Sequence, residues 1–158
     1  DAMLDGHFFF GGQKIAIAGE PDVLWSLGGL FAEMGSELTA VVSTISAPIL
    51  QSLPKAEEVL VGDLEDLERL AKERQCSLLV THSHGRQAAE RLHLPLFRAG
   101  LPIFDRLGSA HRLSVGYRGT RDLIFEIGNL FLANGHEVNP DTWREDAEHA
   151  GHSPVTTR

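Results

Sequence analysis

Short apolar runs bounded by turn residues recur along the first hundred positions: "KIAIAG" (Lys14–Gly19), "ELTAVVST" (Glu37–Thr44), "EVLVG" (Glu58–Gly62), "SLLVT" (Ser77–Thr81) and "PLFRAG" (Pro95–Gly100). Strands with one face in water alternate apolar and polar residues, whereas these runs are nearly unbroken, as strands buried on both faces require. The segments between them change period. Leu24, Leu27, Phe31 and Met34 recur at helical spacing after Pro21 and Asp22, and Gly35 stands where a left-handed C-terminal cap is needed. Asp63 is placed to cap a helix whose apolar face is Leu64, Leu67, Leu70 and Ala71, with Asp66 in its first turn. "RQAAERL" predicts a short helix, and Leu123, Ile127, Leu130 and Phe131 share one side of a long one. "SAPILQSLP", broken by Pro48 and Pro54, reads as a loop with one helical turn.

Strands that alternate with helices need crossover connections, so the pattern predicts an α/β fold: a three-layer, Rossmann-like, doubly wound and mostly parallel sheet with helices on both faces. The predicted organisation is a lead-in segment at 1–13, one domain at 14–134 and a polar tail at 135–158 without regular structure. The chain opens at Asp1 with neither a basic start nor a signal-cleavage pattern, which suggests a piece of something longer. One cysteine, Cys76, excludes an internal disulfide framework, and no apolar run approaches the roughly 20 residues of a membrane span. A cytoplasmic protein without membrane contact is the expectation.

Charge changes the picture, because the total of −8 is unevenly placed. Residues 1–85 hold five Lys/Arg against thirteen Asp/Glu, residues 86–121 seven Arg against two acids, and residues 122–158 two Arg against seven acids. An acidic total disfavours nucleic acid as a partner, since phosphate neutralisation supplies most of that affinity. The locally basic stretch suggests a bounded anionic ligand or an acidic patch on a partner, or arginines that pair locally and solvate helix faces.

Candidate chemistry sits mostly in that stretch. "VTHSHGRQAA" (Val80–Ala89) joins a strand to a helix at the carboxyl edge of the sheet, where ligands bind in open parallel sheets. Ser83, His84, Gly85 and Arg86 there offer backbone N–H groups, a hydroxyl and a guanidinium to an anion; a helix-capping serine in a polar turn is the simpler reading. Zinc at His82 and His84 lacks further ligands, and Ser83 lacks the G-x-S-x-G setting of a nucleophile, so neither a metal site nor a catalytic residue is assigned. "GEPD" after the first strand is not a dinucleotide loop. "LPIFDRLGSAHRLSVGYRGTRD" (Leu101–Asp122) is expected to be irregular, and its length and apolar content suit packing against another domain or subunit, or against its own. Arg98, Arg106, Tyr117 and Arg118 join the candidate binding residues, with Arg112 and Arg121 also available for polar contacts.

The ordered set "DAMLDGHFFFGGQKIAIAGEPD", "GDLEDLE", "SHGRQAAERL", "PLFRAGLPIFDRLG" and "VGYRGTRDLIFEIGN" resembles the nitrogenase component 1 (molybdenum–iron protein) family over about residues 1–134. Within it, "GDLEDLE" and "SHGRQAAERL" favour the iron–molybdenum cofactor biosynthesis branch over a catalytic molybdenum–iron protein β subunit. The resemblance implies the last of three Rossmann-like domains of a scaffold subunit, not itself an enzyme. That subunit would pair with a NifE-like subunit as a heterotetramer while a cluster precursor matures with molybdenum and homocitrate. The family's iron–sulfur clusters would be held through cysteines of missing N-terminal domains, so no cofactor is expected in this chain and Cys76 is assigned no ligand role. The alternative is a stand-alone domain binding a small anion near Ser83–Arg86.

Overall fold

A computed structural model describes residues 2–135, and the predicted polar tail, Gly135 apart, lies outside the described residues. Ten principal elements follow in chain order: α1 (Ala2–Phe10), β1 (Lys14–Gly19), α2 (Pro21–Glu33), β2 (Glu37–Ser43), β3 (Val59–Val61), α3 (Leu64–Glu73), β4 (Leu78–Thr81), α4 (Arg86–Leu92), β5 (Leu96–Arg98) and α5 (Gly116–Gly135). All strand pairs are parallel, in the order β3-β2-β1-β4-β5. The sheet is thus α/β and doubly wound, as the apolar runs predict, and its winding reverses between β1 and β4.

Both faces are buried by different kinds of side chain. Ile15, Ile17, Leu38, Val41, Leu78 and Val80 meet Phe10, Leu24, Phe31, Met34, Ile124 and Ile127 from α1, α2 and α5. On the other face Ala16, Ala18, Ala40, Val42 and Leu79 meet Leu67 and Ala71 of α3 and Ala88 and Ala89 of α4. Small residues on that side let two helices pack closely, while the bulky side supports three, among them the two longest, α2 and α5. Each large side chain fully removed from water stabilises by roughly 1.5–3 kcal/mol, so the deep layer around Phe10, Phe31 and Ile127 dominates.

Local chemistry sets the helix ends. The α2 helix closes with Gly35 at φ +89° and Ser36 N–H donating to the Phe31 carbonyl, the left-handed cap that its sequence position demands. For α3, Asp63 accepts from the Glu65 and Asp66 amides while the Asp66 carboxylate accepts from the Asp63 N–H, a reciprocal box that satisfies orphan donors. "SAPILQSLP" carries one 3-10 turn, Pro48–Ser52.

Two segments differ from the expectation. Residues 1–13, read as a lead-in, contain α1, and Phe10 wedges between α2 and α5: its ring centroid lies 6.0 Å from Phe31 and 5.4 Å from Phe131. The buried Ser36 hydroxyl donates to the Phe10 carbonyl at 2.8 Å, fastening the end of α1. Second, α5 begins at Gly116, so Tyr117 and Arg118 stand in its first turns and the irregular connection ends at Val115. Glycines there argue for a loop by propensity; tertiary packing overrides it. Gly119 is buried against the backbone of Ser114, where a Cβ would stand 2.6 Å from the Ser114 carbonyl carbon.

Two glycine substitutions separate these roles. Gly119→Ala meets backbone that cannot yield and is expected to lower unfolding free energy by about 1–3 kcal/mol. Gly29→Ala, on α2 with open space at its Cβ, is expected to raise it by about 0.5–1 kcal/mol. Denaturant titration of both variants checks the pair, and an equal response at the two sites would refute the packing assigned to Gly119.

Candidate functional site

The carboxyl edge of the sheet is built by the turn after β4 and the connection after β5. Fully buried β4 delivers Ser83 and Gly85 into a single 3-10 turn, Ser83–Gly85, which runs directly into α4. Gly85 is required there, since a Cβ would fall 2.2 Å from the Thr81 methyl. The short β5 ends in Arg98, and the chain then crosses a cis Leu101–Pro102 peptide into the loop carrying Phe104, Asp105 and Arg106.

These two segments are locked by one carboxylate. Arg98 donates to Asp105 through Nε at 2.8 Å and Nη2 at 2.6 Å, a fork-on-fork pair with side chains only 14% and 12% exposed. Ser83 Oγ donates to Asp105 Oδ1 at 2.5 Å and accepts from the Phe104 N–H at 3.0 Å. The Arg98 bonds, then the Ser83 bond, hold the Asp105 carboxyl well below the usual carboxylate range. Ser83 N–H also donates to the Pro102 carbonyl. Ser83 is therefore not the helix cap that its position suggests; its hydroxyl crosses to the neighbouring loop.

A second arginine seals the outside of β5. Arg112 lies 5.0 Å over the Phe97 ring, donates to the Arg98 carbonyl at 3.0 Å and reaches Glu126 of α5 at 3.4 Å. Of the arginines expected to be available outward, Arg112 is thus spent internally and Arg121 pairs with its neighbour Asp122 at 2.7 Å. Arg106 and Arg118 are exposed and form no ion pair among the described residues.

The remaining predicted residues are dispersed. His84 N–H donates to His82 Nδ1, and the His84 ring packs edge-on to Phe104 at 5.1 Å. Burial, then the neighbouring His84 charge, lowers the His82 pKa. Arg86 lies on the exposed side of α4, 3.8 Å from Glu90. Ser83 and Arg98 are brought together; Arg86, Tyr117 and Arg118 are not part of that cluster. Asp105, its centre, was missed as a site residue, although it stands in the quoted "PIFDR" just beyond a strand.

Where the winding reverses, a cleft of about 320 Å³ is lined by Gly19, Thr44, Asp63, Thr81, His82 and His84. The buried Thr81 hydroxyl finds no partner among the described residues. Its charged member is acidic, and the Ser83, His84 and Gly85 N–H groups are already engaged by Pro102, His82 Nδ1 and the His82 carbonyl. An anion would find few free donors here. Among the described residues no group of three or more His, Cys, Asp or Glu side chains could hold a metal ion. No described helix is long and apolar enough to cross a membrane.

Outward, the same loop and the start of α5 present apolar side chains to solvent: Leu101, Phe104, Leu107, Val115 and Tyr117, with Leu107 and Tyr117 essentially fully exposed at 105% and 99%. Folded chains rarely leave so many large apolar groups on one stretch unless something covers them.

The lock generates two predictions. Ser83→Ala leaves the Phe104 N–H unpaired and is expected to cost about 1–3 kcal/mol of unfolding free energy. Because the Asp105 pKa is lower folded than unfolded, its contribution is present above the ordinary carboxylate value of about 3.9 and is lost as pH falls toward the depressed folded value. Asp105→Asn should therefore lower Tm at neutral pH, and the gap from wild type should narrow on acidification below about pH 4. A pH-independent gap in thermal melts would contradict the ionised lock.

Residues 1–132 match the family described as nitrogenase component 1 type oxidoreductase. The chain is 52% identical over 162 residues to the nitrogenase iron–molybdenum cofactor biosynthesis protein NifN of Bradyrhizobium diazoefficiens, covering 99% of this chain and 34% of that protein. NifN of Mesorhizobium japonicum is 54% identical over 162 residues, with 99% and 35% covered. Both similarities therefore continue past residue 132 into the tail. A solved structure of nitrogenase Cp1 at pH 6.5 superposes with a TM-score of 0.80 at 27% identity, over 87% of this chain and 32% of that one. The chain spans about a third of the length of the relatives it matches. The family match through residue 132, the relatives and the superposition agree: the chain belongs to the nitrogenase component 1 type oxidoreductase family.

Proposed function

We propose that this chain is one domain of a scaffold subunit for nitrogenase iron–molybdenum cofactor assembly, and that it supplies an interface rather than cluster ligands. The observation that carries this is the exposed apolar rim from Leu101 to Tyr117, held in place from beneath by the Arg98–Asp105–Ser83 lock. A rim fixed before binding loses little conformational freedom when it is covered, which favours a permanent neighbour. The neighbours in this reading are the remaining domains of its own subunit and a NifE-like subunit, in a heterotetramer.

Cluster ligation belongs elsewhere in the assembly. Cys76 is buried, desolvation raises its thiol pKa, and its sulfur lies 3.2 Å from the Thr39 hydroxyl. A thiol kept protonated and covered is a poor ligand for iron. A small-anion role for the Ser83–Arg86 turn has less support, because the hydroxyl and N–H groups it would use are already bonded. A catalytic nitrogenase subunit is the second reading, favoured by the nitrogenase Cp1 likeness; the 52–54% identity to NifN proteins weighs toward assembly.

The test places this chain in the equivalent third of the Bradyrhizobium NifN. Leu107→Asp with Phe104→Ser is expected to reduce copurification with the NifE-like subunit, or iron loading of the complex, by about tenfold or more, as loss of interface anchors does. Wild-type pairing and wild-type iron content together would refute the interface reading.

A further inference from the structure

The connection from β5 to α5 does more than display apolar side chains. Beneath Leu107 it encloses a hollow of about 250 Å³ beside the edge strand, lined by Arg98, Ile103, Arg106, Leu107, Arg112 and Glu126 among others. Three arginines line one small space in a chain whose formal charge is −8. Arg98 is neutralised by Asp105 through two short bonds. Arg112 is not matched so well: both Glu126 oxygens stand at 3.4 Å from one nitrogen, and its other contacts are to a ring face and a carbonyl. Arg106 has no carboxylate among the described residues. The positive charge left in the hollow is therefore that of Arg106, beside an Arg112 whose resident carboxylate, Glu126, stands at 3.4 Å.

The surroundings decide what kind of anion this suits. Leu101, Phe104 and Leu107 stand exposed in the same connection as Arg106, and arginine among large apolar groups is the composition of a protein interface core rather than of a soluble-metabolite pocket. We infer that the hollow beside β5 receives the carboxylate of an aspartate or glutamate carried by the polypeptide that covers the Leu101–Tyr117 rim, with Arg106 and Arg112 as its guanidinium partners. This rests on the interface reading above and adds the chemistry of the partner. Charge complementarity supports it: five of the seven arginines of residues 86–121 pair with carboxylates of the chain itself, and Arg106, at this hollow, is one of the two that form no ion pair among the described residues.

Glu126 gives the inference a signature. It is the resident carboxylate, and an incoming one competes with it for Arg112. If the Arg112–Glu126 pair merely supported the fold, Glu126→Gln would loosen association; if the hollow takes a partner's carboxylate, the same change frees Arg112 and tightens it.

The experiment measures association of the chimeric subunit with the NifE-like subunit across a series of NaCl concentrations. Arg106→Gln is expected to weaken association about tenfold and flatten its salt dependence, with Arg106→Lys recovering part of the loss. Glu126→Gln is expected to tighten it several-fold. Inorganic phosphate at constant ionic strength should compete with wild type and not with Arg106→Gln. Unchanged affinity and salt dependence in Arg106→Gln, alongside weakening by Leu107→Asp, would overturn the carboxylate pocket and leave the interface standing. If Leu107→Asp is also without effect, both readings fall.

Discussion

The position of the exposed apolar rim depends on a single carboxylate. Asp105 gathers two donors from Arg98 and one from Ser83, and so ties the carboxyl end of β5, the turn after β4 and the following loop into one unit. Pairing two charges away from water gives little net stability, because desolvation opposes their attraction; its surer product is a defined geometry. A loop of this length without the lock would sample many arrangements, and its apolar side chains would collapse onto the sheet edge. With the lock they point outward. In the proposed interface a polar contact therefore sets the geometry and apolar side chains supply the area to be buried.

The sheet was legible in the residues because burial on both faces forces nearly continuous apolar strands, a constraint that acts within each run. All five strands and the α3 cap answer to chemistry within a few positions. What escaped the reading is what depends on distant partners. Ser83 and Asp105 are 22 positions apart, so the serine looked like a helix cap and the aspartate like a turn residue. The start of α5 looked like a loop because the need for Gly119 arises from the backbone of Ser114 pressing on it in three dimensions. In α1 the apolar residues surround the helix rather than forming a stripe, and only Phe10 and Gly6 are buried. Periodicity could not reveal it.

The outward side of α1 bears on the same point as the rim. Leu4 and Phe8 are strongly exposed, and Phe125 and Leu132 of α5, against which α1 packs, are partly so. These residues lie on other elements than the carboxyl-edge rim, and the domain thus presents apolar groups in two regions. A domain that spans a third of its relatives' length has reason to be covered in more than one place. Burial of such surfaces also explains how so short a β5, three residues on the sheet edge, is tolerated: an edge strand left open would pair with strands of other chains, and here the Leu101–Val115 connection and Arg112 close it off.

In the proposed interface, charge and apolar surface divide the work of recognition. Apolar anchors such as Leu107 gain from any covering surface, so they cannot by themselves choose among partners of similar shape. Arg106 and Arg112 can, since a neighbour that brings no carboxylate leaves guanidinium groups stripped of water without compensation, a larger penalty than a lost methyl contact. The formal charge of −8 sharpens the choice further, because a second copy of this chain would bring like net charge against like. In the proposed interface, like net charge would then work against self-association while the guanidinium left without a carboxylate, Arg106, works for an acidic neighbour.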